Sequence, residues 1–496
     1  MYKEVHRNKL HFSPPANWMN DPNGMVYYEG EYHLFYQYYP EDIVWGPMHW
    51  GHAVSKNLIH WENLPIALKP DSLGQIFSGS AVVDWKNTSG LGSVEQPPMV
   101  AIFTHHDMAS EKAGALDCEV QSIAYSVDKG RTWEKYAQNP VLSNVKKIKD
   151  FRDPKVIWDD ARRHWVMVLA AKDRLLFYTS TNLTAWAFGS EWGYDYGDRK
   201  GVWECPDLFP LKVEDTDEVK WVLILSLNPG GPNGGSGTQY FIGDFDGNSF
   251  TIDPNFEKEI LDGKGVWIDH GPDNYAGVTW SDIPVKDARR IFIGWMSNWD
   301  YAQDVPTETW RSAMTLPRKL SLHRGDLSYR LTSSIISEIS NICDAPTDSI
   351  TTGIFEENTV LFDNMNSGLF RMQFSAKKDK EGTFALLFSN DVDDKLVLGF
   401  DGTTNNYFID RSKSGKVDFK ESFPAMIFAP IDYIEEEIKF DIVIDHGAIE
   451  VLADDGKCVL TCIFFATKPF TVCKLIAGNK PVEITGGNVR ALTSIW

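Results

Sequence analysis

A unit of two short β-forming runs around a charged turn recurs along the first two thirds of the chain. It begins near Asp21, Ser78, Asp153, Glu204 and Asp269. The clearest copy has Lys155-Val156-Ile157-Trp158, a turn at 159–163, then a second apolar run at 165–170. A companion element, Ser or Gly, a polar stretch and an aromatic, recurs at 55–61, 126–133, 180–186 and, more faintly, 243–250. Polar and Gly residues suit a tight strand-to-strand connection, and the aromatic opens the next strand. Helical periodicity is almost absent. Starts roughly 50 to 75 residues apart fit a four-stranded propeller blade with generous loops. Five starts predict an all-β chain with a five-bladed β-propeller over residues 1–332. The pattern changes at 333–352, a predicted linker in which 334–339 could form a short helix. Closely spaced strands at 353–496, such as 384–388 and 439–444, predict a C-terminal β-sandwich.

Three repeat starts share a further feature. Asp21, Asp153 and Glu204 each stand one or two residues before a proline and open a β-like run. The first strands of propeller blades run in one direction along the axis, so their beginnings open on one face. That geometry predicts one carboxylate cluster at the mouth of the axis. Cleaving a glycosidic bond needs such a cluster: an acid for the leaving oxygen, and a carboxylate or activated water at the anomeric carbon. Glu204 has the longer side chain, and Trp203, Cys205 and two nearby anions should raise its pKa, which makes it the acid/base. Asp21 or Asp153 is then the nucleophile, and this reasoning does not choose. The third carboxylate can hold sugar hydroxyls as positive charge develops on the ring.

The bulk properties agree with a neutral ligand. The net charge of −21 argues against nucleic acid or an anionic membrane surface as partner. No run of about 18 apolar residues exists, so no membrane span is expected. The N-terminus lacks an apolar signal core. An extracellular, periplasmic or cell-surface protein whose signal sequence is absent from this chain is expected, with the cytosol left open. The 18 Trp suit both β-repeat cores and stacking against sugar rings. The six cysteines have no zinc-finger spacing, and buried free thiols are expected over a disulfide framework. His49, His52 and His60 lack a metal-binding spacing and are expected to pack or hydrogen-bond. His105-His106-Asp107 is expected in a loop, and so is the glycine-rich stretch 230–237. A role for Cys205 in tuning Glu204 is favoured over one as a nucleophile.

Taken singly, Asp-Pro-Asn-Gly and Arg-Asp-Pro are turn signatures. Together, residues 18–24 (Trp-Met-Asn-Asp-Pro-Asn-Gly), 151–154 (Phe-Arg-Asp-Pro) and 203–206 (Trp-Glu-Cys-Pro) resemble the hallmark motifs of glycoside hydrolase family 32, the invertases, inulinases and levanases. Residues 36–38, 45–52, 77–80 and 294–299 are similar to its sugar-site segments. The resemblance implies a retaining mechanism on β-fructofuranosyl bonds of fructans and sucrose. Asp21 would be nucleophile, Glu204 acid/base and Asp153 transition-state stabiliser. It implies that Asn20, Gln37, Trp45, Ser78, Arg152 and Trp295 hold the terminal fructose, with Phe77 beside them. No metal or organic cofactor is implied. A fructosyltransferase, a non-catalytic carbohydrate-binding protein and a related arabinan hydrolase are the competing readings. Linkage preference, exo or endo cleavage and oligomeric state are not set by these residues.

Overall fold

A computed structural model describes residues 2–260, 264–325, 328–344, 348–365, 367–433 and 435–496. Met1 of the N-terminal reading, 345–347 of the expected linker and short stretches of both expected domains lie outside the described residues. The architecture is a β-propeller followed by a β-sandwich. Five sheets follow one another, with inner strands Asn17–Tyr28, Gln75–Val83, Phe151–Asp159, Val202–Lys212 and Tyr275–Thr279. Within each sheet, successive strands pair antiparallel.

The inner strands form a closed ring, each against the next and the last against the first. Where the ring closes, a parallel bridge joins Val26 of the first to Ser281, just after the fifth. A second device ties the ends together: Asn17 and Trp18 pair in parallel with Trp310 and Arg311. The Ser-to-aromatic element is the connection from third to fourth strand. Ser55, Ser126 and Ser180 end third strands, and their hydroxyls accept backbone N–H groups of Asn57 (3.2 Å), Gly130 (2.9 Å) and Leu183 (2.9 Å). The last strand of the fifth sheet, Tyr329–Ile335, extends three residues beyond position 332. A 3₁₀ turn, Ser337–Ile342, follows it.

The sandwich packs a seven-stranded sheet on a six-stranded one around a core that includes Phe374, Phe384, Leu398, Tyr407, Phe440 and Leu475. Asp348–Ser349, from the expected linker, pairs with the strand Val482–Ala491 and so joins this sheet. All six cysteines are free thiols.

A buried polar cluster joins the two parts. Arg318, in the fifth propeller sheet, donates to Asp269 (2.9 Å), to Thr461 Oγ1 (2.6 Å) and through two nitrogens to Glu450 of the sandwich. His11 bridges Asp445 (2.7 Å) and Glu450 (2.9 Å). Burial opposes charge on His11, but the two carboxylates outweigh it and lift its pKa to about 9. A parallel link joins Arg411 to Asp273 at 2.8 Å.

Candidate active site

All five inner strands carry an irregularity at the same level. The register with the neighbouring strand shifts between Met19 and Pro22, Ile76 and Gly79, Arg152 and Lys155, Glu204 and Asp207, and Tyr275 and Val278. A bulge adds unpaired residues and re-aims side chains. Proline has no N–H to give a ladder and belongs at such points. Pro154 and Pro206 lie inside two of these shifts and Pro22 closes a third, which accounts for the carboxylates that precede prolines in the sequence. Asp153 and Cys205 have left-handed φ values of +63° and +48°. Non-glycine residues hold that conformation only where their surroundings impose it.

The re-aimed side chains converge. Asp21 Oδ2 accepts the Ser78 hydroxyl (2.8 Å), and Oδ1 accepts the Asn20 amide (2.9 Å), whose own oxygen takes the Trp18 indole N–H (2.7 Å). Cys205 Sγ lies 3.6 Å from Asp21 Oδ2 and 3.7 Å from Asp153 Oδ2, so one sulfur touches both carboxylates. The Cys205 backbone N–H donates to the same Asp153 oxygen at 3.0 Å. Glu204 accepts Arg152 on one oxygen (2.8 Å) and the Tyr275 hydroxyl on the other. Arg152 also serves Glu119 (2.9 Å) and Asp150 (3.0 Å), and Glu119 meets His106 at 3.1 Å.

Burial sets the electrostatics. It pushes Asp153 up to about 8, with Glu204 and Asp21 adding and Arg152 opposing. Glu204 is raised by burial too; Asp21 adds, while Arg152 and Tyr275 favour the ionised form. The cluster therefore retains a proton that free carboxyls would have lost near neutrality. Burial and the neighbouring anions push the Cys205 thiol well above its ordinary range, which disfavours a thiolate nucleophile. Sequence reasoning tied Cys205 to Glu204. Its side chain instead sits between the two aspartates, because the bulge turns adjacent side chains apart.

Gln37 faces the bulged residues 20 and 21 and is buried, with its Nε2 unpartnered. Trp45 meets Phe77 edge-on at 6.2 Å, and Phe77 stacks on His106 at 4.3 Å. Trp295 departs from expectation. It is 0% exposed, packed against Trp18, Trp299 and Tyr275, so a direct contact with sugar is closed to it. Trp299 keeps exposed surface and stacks on Trp18 at 5.8 Å. A two-residue periodicity cannot tell which tryptophan of 294–299 is inside once the strand ends at Met296. His105 and His106 also depart from expectation. They lie in the strand Met99–His106, buried, with His105 Nδ1 on Ser122 (2.8 Å) and the His106 ring between Glu119 and Glu111.

Tyr275 and Glu119 were not singled out from the sequence, and His106 was named there only as a loop residue. Tyr275 begins the fifth inner strand, six residues after Asp269; aligning its bulge with the others would have found it. Below the carboxylates a cavity of about 10 Å3, room for one water, is lined by Ser78, Asp153, Cys205 and Thr279. Among the described residues, no group of three or more His, Cys, Asp or Glu stands together as a metal site.

Comparison with known proteins places this geometry. The domain described as Glycosyl hydrolases family 32 N-terminal domain matches residues 11–332, and Glycosyl hydrolases family 32 C terminal matches 338–491. A levanase of Bacillus subtilis (strain 168) is 45% identical over 499 residues, covering 100% of this chain and 72% of that protein. An extracellular exo-inulinase of Aspergillus niger is 38% identical over 522 residues, covering 100% of this chain and 96% of that protein. Among solved structures, exo-inulinase from Aspergillus awamori superposes with a TM-score of 0.92 at 35% identity, covering 100% of both chains. A fructofuranosidase from Schwanniomyces occidentalis complexed with fructose gives 0.85 at 30%, covering 99% of each.

Proposed function

The chain belongs to glycosyl hydrolase family 32 and hydrolyses β-fructofuranosyl bonds; we propose that it removes terminal fructose from levan or inulin, and from sucrose, through a fructosyl ester on Asp21. The single observation that carries the reading is the convergence at Cys205. One sulfur touches Asp21 and Asp153, and the preceding residue, Glu204, is held by Arg152 and Tyr275.

The roles follow from surroundings. Asp21 is oriented by Ser78 and Asn20, both donors, which fix its oxygens for attack. Glu204 protonates the departing oxygen, then takes a proton from the water that opens the ester. Substrate decides where the retained proton resides. Sugar hydroxyls that donate to Asp153 hold it ionised, and the proton stays on Glu204, next to the leaving oxygen. Asp153 then faces the positive charge that grows on the ring. The unpartnered Gln37 amide, with Asn20 behind the nucleophile, offers donors to a terminal sugar. Trp299, with Trp45 and Phe77, supplies apolar faces. The extracellular relatives support a secreted enzyme. No helix among the described residues is long and apolar enough to cross a membrane.

A timed product profile on levan, inulin and sucrose tests this reading. Fructose as the first product from whichever polymer is cleaved is expected. An oligosaccharide ladder contradicts the terminal mode, and chain lengthening at high sucrose contradicts hydrolysis as the main outcome.

A second prediction concerns pH. The Tyr275 hydroxyl donates to Glu204 and favours its ionised form. Tyr275→Phe removes that donor and raises the Glu204 pKa further. Because the acid must be protonated, the basic limb of the kcat profile is expected to move to higher pH. An unmoved or acid-shifted limb contradicts the assignment of Glu204.

A further inference from the structure

The far end of the propeller axis holds a cleft of about 710 Å3, the size of a small-molecule site. It is lined where the inner strands end: 82–83 of the second, 156–159 of the third, 208–210 of the fourth, and 281–285 after the fifth. Asp153 and Trp158 are five residues apart on one strand, which at about 3.3 Å per residue places the two ends roughly 16 Å apart. The axis between them is blocked. Lys155, buried in it, pairs with Asp207 at 3.1 Å and donates to the Thr279 carbonyl at 2.9 Å. The cleft is therefore separate from the carboxylate mouth.

Its walls are built in the manner of a sugar site. Trp85 is 50% exposed, yet its indole N–H is fixed on Asp282 (2.8 Å), whose other oxygen takes the Val83 N–H (2.9 Å). The ring is thus held with a bare face toward solvent. Trp158 is pinned by Asp160 (2.7 Å) and packs on Trp165 at 4.9 Å. Lys86 stands over the Trp158 ring, 4.6 Å from its centroid. Arg290 lies on Phe209, 4.7 Å from that ring's centroid. It donates one hydrogen bond, to the Trp280 carbonyl at 3.4 Å, and among the described residues it has no ion pair. Most of its N–H donors are free for hydroxyls. Cations at 86, 155 and 290 are set against carboxylates at 84, 159, 160 and 282, so the lining has no positive excess and the cleft favours a neutral, hydroxyl-rich ligand over a polyanion. The overall charge of −21 opposes a polyanion as well.

We propose that this cleft is a second carbohydrate site, which holds a segment of fructan chain away from the carboxylate mouth. The proposal rests on the fructan reading above. A segment gripped at Trp85 and Trp158 keeps the polymer beside the enzyme between cleavage events and raises the effective concentration of chain ends at the mouth. Sucrose is too short to engage both sites, so only polymer kinetics depend on the cleft.

The test compares wild type with Trp85→Ala and with Trp85→Ala/Trp158→Ala, using electrophoresis through gels containing levan or inulin and kinetics on levan, inulin and sucrose. Retardation of wild type by at least one polymer, lost in the double variant, is expected. KM for that polymer should rise about three- to tenfold while sucrose kcat/KM stays within about twofold. The single variant, which trims a half-exposed ring, should give a smaller change of the same kind and keeps the test open if the double variant folds poorly. Unchanged retardation and polymer KM overturn the proposal. A parallel loss on sucrose overturns it too, because the substitutions then act on the mouth. So does a wild-type dimer, seen by sedimentation, that the substitutions dissociate without altering polymer binding. Wild type inactive on all three substrates would instead sink the fructan reading itself.

Discussion

Asp21→Asn is expected to lower kcat on sucrose, levan and inulin by at least about 10⁴-fold, because no ester can form without the carboxylate. The substitution keeps the side-chain size and lets Ser78 and Cys205 stay in place, so unfolding temperature should change little. Glu204→Gln removes a proton donor and base while keeping a nucleophile, and about 10²- to 10⁴-fold is expected. In both cases kcat and kcat/KM should fall together, since the lost interactions belong to the transition state. Measured against wild type by fructose release, either variant within about tenfold contradicts the roles given to Asp21 and Glu204.

The second large effect lies outside the site. Arg318 is 0% exposed and neutralises Glu450 and Asp269 at the junction of propeller and sandwich. Arg318→Met leaves two carboxylates buried without their cation. Breaking a buried pair by removing one partner costs about 3–5 kcal/mol. His11 still faces Glu450, which keeps the loss from being larger. Denaturant unfolding should show this loss, and heating should separate the melting of the two parts. The fraction still folded should keep most of its turnover of sucrose, because Arg318 bonds to Asp269, Glu450 and Thr461 and to none of Asp21, Asp153 and Glu204. A loss below about 1 kcal/mol, the scale of an exposed pair, contradicts this account of the junction.

The site was legible where local chemistry dictates geometry. A proline within an inner strand has no N–H for the ladder and so suits a bulge, and a bulge re-aims its neighbours. The spacing of Asp21, Asp153 and Glu204 before prolines thus carried three-dimensional information. The repeat starts were legible for the same reason, and each falls in or just ahead of one inner strand. What the sequence hid depends on contacts between distant segments. The N-terminal segment looked like part of the propeller, yet the Lys9 N–H donates to Asp445 of the sandwich at 2.8 Å, and His11 reaches both Asp445 and Glu450. Nothing within residues 2–16 encodes that partner. Trp295 and Trp299 differ in burial only because the chain leaves the sheet between them. Tyr275 escaped notice because a tyrosine in a β-rich chain carries no signal until its hydroxyl meets Glu204.

The central claim is that Asp21 bonds covalently to fructose within this carboxylate cluster. Rapid acid quenching during sucrose turnover, followed by peptide mapping by mass spectrometry, tests it most directly. A fructosyl adduct on the peptide carrying Asp21, absent from Asp21→Asn, is the predicted result. An adduct on Asp153 or Glu204 instead would contradict the account.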